Sequence, residues 1–239
     1  MMREAAGQQH RTVVEGEDGD ASEIARRPDP YDEYAICCSA LLGQSAWRPP
    51  VLEPDPDSHP SIPLEDLVEA GVIDLHEAPP TVGATGGDTP MLSAKDVRLG
   101  RAPSRWGDAC APGAIEIRVG DIAVAISTEP AVRVCTDNGV LLGPGIRLVR
   151  ADSDAIDPYF LAGILRAAVE AADGNHIDIY EVAVPRIPLA EQHRYGKAFE
   201  QLTALEAALQ RQRANIGLLV RTGFGGLAQG KLRPVAGDE

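Results

Sequence analysis

Residues 189–222 read LAEQHRYGKAFEQLTALEAALQRQRANIGLLVRT, and this stretch decides the fold. Apolar residues recur in it at alternating spacings of three and four, which is typical of a coiled-coil helix. One core position of the heptad holds Tyr195, Leu202, Leu209 and Ile216, and the other holds Ala198, Leu205, Gln212 and Leu219. No proline or glycine interrupts residues 197–215, and Gly223 predicts the helix end. We expect a helix on the order of 50 Å long; the alternative is an ordinary amphipathic helix that packs on its own domain.

Upstream of this helix, residues 61–187 combine short strand patterns with two helix signals. Ser61 is predicted to cap a helix that has Pro63 in its first turn and stops at Gly71. Asp157 is predicted to cap a second helix that ends near residues 173–174. Strands are expected at 72–75, 115–119, 122–126, 146–149 and 177–184, a strand or strand–turn at 91–99, and a hairpin joining 132–135 to 139–142. This alternation predicts an α/β (α+β) fold with a mixed sheet, followed by a long C-terminal coiled-coil helix.

The remaining segments complete the predicted organisation. Residues 1–60 form an acidic, proline-rich extension, and residues 1–34 of it are expected to be disordered. Residues 35–46 are a short apolar segment within that extension. The domain boundaries are therefore placed at 61–187 for the mixed-sheet domain, 188–228 for the helix and 229–239 for a tail.

Composition excludes several classes of protein. The sequence holds no uncharged apolar stretch of about 18 residues, so no membrane span is expected. The four cysteines lack paired metal-ligand spacing and are expected to be reduced thiols in a cytoplasmic protein without a metal site. No phosphate-binding loop, nucleophile elbow or S-adenosylmethionine loop occurs, so neither an enzyme nor a cofactor is expected. The net charge of −14 disfavours a general polyanion binder.

Residues 93–106 stand out against this acidic background. Four basic side chains accompany a single acid, Asp96, and arginine forks suit both phosphates and guanine edges. The segment is a candidate DNA-contacting surface, with Arg118 and Arg133 as secondary candidates. The alternative is a solvated loop whose arginines pair with local carboxylates. The candidate DNA-binding residues are Lys95, Arg98, Arg101, Arg105, Thr89 and Ser93.

Several motifs, taken in order, point to a known family. They are SIPLEDLVEAGVIDL (61–75), GDTPML (87–92), KDVRLG (95–100), VGDI (119–122), DPYFL (157–161), IPLAEQ (187–192) and GLAQGKL (226–232). In this order they resemble the specificity subunits of type I restriction–modification systems. The resemblance covers about residues 61–232.

The resemblance implies a target-recognition domain followed by one conserved spacer helix. A full specificity subunit has two of each, so this chain resembles half of one, or the recognition part of a split methylase. It implies a non-catalytic chain that reads double-stranded DNA and directs an adenine-specific methyltransferase subunit. It also implies a homodimer, or pairing with a second helix, through Tyr195, Leu202, Leu205, Leu209, Ile216 and Leu219.

Two other hypotheses stay open. A protein-interaction adaptor derived from a recognition domain would act through the coiled-coil helix without binding DNA. An enzyme with an unrecognised site is the second, although no catalytic motif supports it.

Overall fold

The structure is a computed structural model of the 239-residue chain. It describes residues 35–36, 39, 49–55, 59–83, 87–126, 130–172 and 177–234. The chain divides into two compact units: Ser45–Ala214, and Met1–Gln44 together with Asn215–Glu239. Residues 1–34, for which disorder is predicted, lie outside the described residues. So do most of the apolar segment and the end of the tail. Residues 173–176, where the second predicted helix was expected to end, also lie outside them.

Short strands and a few helices make up the described residues, and all but the last helix lie entirely within the larger unit. Helices α1 to α4 span Leu64–Glu69, Ala94–Arg98, Pro158–Ala171 and Leu189–Ala228. Strands β1 to β5 span Ser61–Pro63, Ile73–Glu77, Thr89–Leu92, Arg105–Gly107 and Glu116–Ile117. Strands β6 to β10 span Ile122–Ala125, Ala131–Val134, Val140–Leu142, Ile146–Ala151 and Ala183–Pro185. Short 3-10 turns occur at Pro80–Gly83 and Ile179–Glu181.

The strands form three sheets. One four-stranded sheet has the order β2-β9-β6-β7, a second has the order β4-β3-β8-β5, and β1 pairs with β10. Every strand pair is antiparallel except β3 with β8, so the second sheet is mixed. Together with the 40-residue helix α4, this architecture confirms the predicted α+β class with a long C-terminal helix.

Strand β6 lies at the centre of the core because both of its faces are covered. Its residues alternate between two clusters: Ile122 and Val124 pack with helix α3, and Ala123 and Ala125 pack with the second sheet. All four residues of the strand are buried. The two alanines let the second sheet approach closely, while the larger residues fill the space under α3. The unit is therefore layered as helix, sheet and sheet.

Two helix signals have different outcomes. Helix α3 begins as predicted, with Asp157 accepting a hydrogen bond from the Phe160 N–H at 2.7 Å. The predicted Ser61 cap is wrong, because Ser61 lies in β1 opposite Pro185. Helix α1 begins only at Leu64, whose N–H donates to the Val182 carbonyl at 2.9 Å. A neighbouring strand end thus satisfies the donor that a side-chain cap would have satisfied.

The predicted hairpin joining 132–135 to 139–142 is wrong. Strand β7 pairs with β6, whereas β8 pairs with β3 and β5 in the other sheet. The Asp137–Asn138–Gly139 turn therefore crosses between sheets. The Asn138 side-chain oxygen accepts a hydrogen bond from the Val119 N–H at 2.9 Å, and this bond joins the crossing to the chain that precedes β6.

The strand predicted at 177–184 is also largely wrong. The Asp178 carboxylate accepts a hydrogen bond from the Tyr180 N–H at 3.0 Å and starts a 3-10 turn. The extended segment is thereby reduced to β10. Strands expected at 72–75, 122–126 and 146–149 are confirmed as β2, β6 and β9 to within two residues at each end. The strand expected at 115–119 is shortened to β5.

Leu165 tests the packing of α3 on β6, since it is 0% exposed and belongs to their shared cluster. Leu165→Ala is expected to lower the free energy of unfolding by about 2–5 kcal/mol, because it removes apolar contacts and leaves a cavity. Urea denaturation of the full chain measures the change. Val119→Ala is the control at an exposed position and should change stability by no more than about 0.5 kcal/mol. Equal losses for both variants would contradict the layered packing.

Candidate nucleic-acid interface

The basic segment 93–106 folds as a short helix between two neighbouring strands. Strand β3 ends at Leu92, helix α2 follows at once, and β4 returns beside β3 in antiparallel register. The prediction of a strand or strand–turn over 91–99 is therefore wrong beyond Leu92. Ser93 ends the strand because it forms a reciprocal capping box with Asp96 at the start of α2.

Asp96 connects the whole segment, and none of its surface is exposed. Its Oδ1 accepts hydrogen bonds from Arg101 Nε at 2.6 Å and Ser104 Oγ at 2.7 Å. Its Oδ2 accepts from the Ser93 N–H at 3.0 Å and the Ser104 N–H at 3.2 Å. One buried carboxylate thus joins the start of α2 to the residue directly before β4. We call Ser93, Asp96, Arg101 and Ser104 the Asp96 brace.

The protonation of Asp96 follows from these contacts. Burial alone would raise the pKa of the carboxyl group, but the hydrogen bonds from Ser93, Ser104 and Arg101 outweigh it. The net result is a pKa well below the usual value for aspartate. The carboxylate is therefore ionised over the whole physiological range, and its charge is matched inside the brace.

The candidate DNA-binding residues occupy different places around the brace. Lys95 and Arg98 project from α2, Arg105 lies at the start of β4, and all three are exposed. Thr89 is half-buried in β3, and its hydroxyl donates to Asp88 at 3.4 Å. The described structure thus places three exposed basic side chains on one compact strand–helix–strand element.

Arg101 and Ser93 are bound within the brace. Arg101 donates through Nε to Asp96 and through Nη2 to Ser104 Oγ at 3.0 Å. Its carbonyl oxygen accepts from Arg133 Nη1 at 2.6 Å. For Arg101 the structure therefore shows the local carboxylate pairing that the sequence left open as an alternative. A DNA contact by either residue stays a prediction.

Residues that sequence reasoning missed complete this surface. Asp96 was noted only as the lone acid of the segment, and Ser104 was not considered. The Ser-x-x-Asp spacing at 93–96 is a capping-box signal that could have found the brace. Trp106 was the boundary of the basic segment, yet its side chain is 60% exposed on β4. Nothing in the sequence pattern indicates that exposure.

A second ion pair, between Asp121 and Arg150, lies where the two four-stranded sheets meet. Asp121, in the Val119–Gly120–Asp121–Ile122 motif, is 3% exposed. It accepts hydrogen bonds from Arg150 Nε at 2.9 Å and Nη2 at 2.6 Å. Arg150 Nη2 also donates to the Glu116 carbonyl at 3.0 Å. Arg150 lies in β9 and Glu116 in β5, so this last bond links the two sheets. The bidentate pair with Asp121 holds the Val119–Gly120–Asp121–Ile122 motif at their junction. The hydrogen bond to Asp121 raises the pKa of Arg150.

Helix α4 carries the predicted heptad, and its residues differ in environment. Leu202, Leu209 and Ile216 are exposed, whereas Leu205, Leu219 and Gln212 are half-buried. Tyr195 packs within its own unit, edge-on to Phe160 with ring centroids 6.1 Å apart. Its hydroxyl donates to the Asp55 carboxylate at 2.6 Å. At Tyr195 the heptad side chain therefore contacts its own domain.

The predicted helix end at Gly223 is wrong, because α4 continues to Ala228. Glycine inside a helix costs about 1 kcal/mol relative to alanine but does not break it. At Gly226 a Cβ atom would lie 2.4 Å from the Leu232 side chain, so the small residue permits this contact. The chain turns only at Gly230, which has a φ of 68°. There the Lys231 and Leu232 N–H groups donate to the Gly226 carbonyl at 2.9 and 3.0 Å.

A groove of about 810 Å³ lies within the larger unit, between β7, α3, the first part of α4 and the end of α2, and Arg98 is one of its lining residues. Its lining is mostly apolar or small, with an Arg166–Glu206 ion pair at 2.6 Å on its wall. Among the described residues, no group of three or more histidine, cysteine or acidic side chains has metal-site geometry. Within the same residues, every helix is too short or too polar to span a bilayer.

Comparison with known proteins adds structural matches only. No family model and no curated protein matches the sequence. The crystal structure of the HsdS subunit from Thermoanaerobacter tengcongensis matches over 81% of this chain and 51% of its own, at 19% identity and a TM-score of 0.49. A second match is a chain from a structural study of the complex assembly and conformational transition of the type I R-M system. This match covers 83% of the present chain and 50% of the other one, at 21% identity and a TM-score of 0.48.

The first of these structures is an HsdS subunit, and the second comes from a type I R-M system, the kind of system that the sequence resembles. The chain spans about half the length of each matched structure.

Asp96→Asn is expected to destabilise the chain, because the amide removes the charge that Arg101 and the serines satisfy and leaves strong donors mismatched. Thermal unfolding of the full chain measures this loss, with Glu53→Gln, at an exposed acid outside the sheets, as the control. Because folding lowers the pKa of Asp96, the stabilisation that its carboxylate provides depends on pH. This stabilisation is fully present above the normal aspartate pKa and is lost as the pH falls through the lower pKa of the folded state. The wild type and Asp96→Asn should therefore differ most at neutral pH and converge in strong acid. A difference that grows on acidification would contradict this assignment.

Proposed function

We propose that this chain is a DNA sequence-recognition subunit of a type I-like restriction–modification or adenine-methylation system. In this role it has no catalytic site of its own and directs an adenine-specific methyltransferase to its target. The observation that supports the proposal best is the exposed basic surface of Lys95, Arg98 and Arg105, supported by the buried Asp96 brace in an otherwise acidic chain. Ordered sequence motifs that resemble the specificity family agree with it.

The strand–helix–strand element has suitable chemistry for reading duplex DNA. Lysine and arginine donors bind phosphates, and an arginine fork can pair with the O6 and N7 acceptors of guanine in the major groove. The brace fixes the start of both α2 and β4, so the cations start from a rigid support and lose less conformational entropy on binding. The net charge of −14 then works against sequence-independent binding. A partner methyltransferase would supply the further phosphate contacts.

Helix α4 is proposed to set the distance between this domain and a second one. A rigid helix of fixed length converts protein spacing into base-pair spacing on the duplex. The exposed Leu202, Leu209 and Ile216 supply an apolar stripe for a second helix. The family resemblance implies antiparallel pairing, which a second copy of this chain can provide.

One antiparallel register suits the heptad of two identical chains. It places Leu202 opposite Leu219 of the second copy, Leu205 opposite Ile216, and Leu209 opposite Gln212. Symmetry repeats each layer, and Ala198 then faces Gly223. The two copies of Gln212 then lie near the two-fold axis, where a polar residue at a core position helps to fix the register.

A protein-interaction adaptor is the second candidate function. The groove of about 810 Å³ beside β7 and the exposed residues of α4 favour it. It differs from the first proposal in one clear respect: an adaptor forms a stable protein complex but has no affinity for duplex DNA at low salt.

DNA binding is tested with a duplex selected from a random pool in the presence of the methyltransferase subunit. Lys95→Ala with Arg105→Ala should weaken binding and reduce the slope of log K against log [salt] by about two, since each lost phosphate contact removes about 0.9. Fluorescence anisotropy across a salt series measures both quantities. Arg186→Ala with Lys197→Ala is the matched control, because it removes equal charge from exposed positions outside the segment. Equal effects of the two pairs would reject this surface.

Self-pairing is tested by Leu209→Glu, which places a charge at an exposed core position of the heptad. The wild-type chain should sediment as a dimer and the variant as a monomer, because two copies would bury the charge near the two-fold axis. Sedimentation equilibrium over a concentration series distinguishes them. Val119→Glu, at a position 59% exposed and outside the helix, should leave the dimer intact. A monomeric wild-type chain would exclude the homodimer and leave pairing with another subunit's helix.

A further inference from the structure

Trp106 is the most exposed large side chain near the basic surface, with 60% of its area accessible. It lies in β4, which is an edge strand of the second sheet and, among the described strands, pairs with β3 alone. Tryptophan side chains normally bury much of their large apolar surface. An exposed indole on a sheet edge is therefore a candidate contact residue, because tryptophan is enriched at binding interfaces.

The backbone on both sides of Trp106 is held in place. Two residues earlier, the Ser104 N–H and hydroxyl both donate to the buried Asp96 carboxylate. The next residue, Gly107, is buried, and a Cβ atom there would lie 3.1 Å from the Met91 sulfur. One residue further on, the Asp108 N–H donates to the Val82 carbonyl at 3.2 Å. The indole is thus presented on a rigid support, which lowers the entropic cost of a contact.

Exposed cations lie on the same strand–helix–strand element as Trp106, although Arg105 and Trp106 start on opposite faces of β4. Arg105 precedes the tryptophan, and Lys95 projects from α2, whose first turn is bonded through the Asp96 brace to Ser104. Neither Lys95 nor Arg105 forms an ion pair with any residue that the structure describes. An exposed indole on an edge strand that also carries an exposed arginine suits a nucleobase next to its phosphates better than it suits an apolar protein surface.

We infer that Trp106 is a specificity-determining residue that stacks its indole on the face of a base in the bound duplex. This inference rests on the proposed DNA-recognition function. Base faces are covered in an intact duplex, so the contact requires a step that opens to admit the ring. The energy of opening depends on the step, and Trp106 would therefore favour flexible pyrimidine–purine steps without forming a hydrogen bond to them.

The test uses the selected duplex, the methyltransferase subunit and a chain with Trp47→Phe, which leaves Trp106 as its one remaining tryptophan. Addition of DNA should quench the indole emission. Trp106→Ala should weaken specific binding about 5- to 150-fold, the range that corresponds to loss of one base–aromatic stack. Trp106→Phe keeps an aromatic face and should retain most of the affinity. The slope of log K against log [salt] should be unchanged by either variant, unlike that of the Lys95 and Arg105 pair.

A second measurement locates the contact on the DNA. Duplexes with 2-aminopurine at successive positions should become brighter on binding at one step, because unstacking relieves the quenching of that base. Trp106→Ala should remove the signal. An unchanged thermal midpoint for Trp106→Ala shows that the exposed side chain does not act through stability.

The outcomes separate this inference from the proposed function. If DNA binds with normal affinity to Trp106→Ala and the emission is not quenched, the stacking inference is wrong and DNA recognition stands. If the wild type and the methyltransferase together bind no duplex, the proposed function fails first. If the methyltransferase quenches Trp106 without DNA, the indole belongs to a protein interface and the inference is overturned.

Discussion

The burial of β6 on both faces is the constraint on which the rest of the domain depends. A strand of four residues can lie at the centre of two cores only if its alternate side chains suit both neighbours. Ile122 and Val124 fill the space beneath helix α3, and Ala123 and Ala125 let the second sheet come close. Directly before this strand, Asp121 accepts hydrogen bonds from Arg150 at 2.9 and 2.6 Å. Arg150 also donates to the Glu116 carbonyl at 3.0 Å, and this bond joins the two sheets.

On this support, the candidate surface depends on a buried negative charge. Asp96 satisfies donors from Ser93, Arg101 and Ser104, and so it fixes the path between β3 and β4. The same arrangement divides the basic residues into two groups. Arg101 pairs with Asp96, while Lys95 and Arg105 are exposed and form no ion pair with a described residue. Under the proposed function, rigidity comes from the first group and contact from the second.

The strongest sequence signals were those that depend on local physics. The heptad of residues 189–222 and the Asp157 cap with Pro158 after it both predicted helices that the structure contains. Strands β2, β6 and β9 followed from apolar runs bounded by turns. Pairing could not be predicted in the same way. The run at 132–135 and the run at 139–142 resembled a hairpin, but each is recruited to a different sheet. The end of the last helix could not be predicted from its glycines either. Gly223 lies inside α4, and the chain turns only at Gly230.

The sequence by itself determined the class of fold, the long terminal helix and the location of the basic segment, because periodicity and charge are properties of neighbouring residues. Only the tertiary structure decided which basic residues are bound and which are exposed. That division depends on Ser104, eight positions from Asp96, and on Arg133, whose guanidinium reaches the Arg101 carbonyl across 32 positions. Contacts over such separations are set by strand order and layer packing, which a linear pattern does not record.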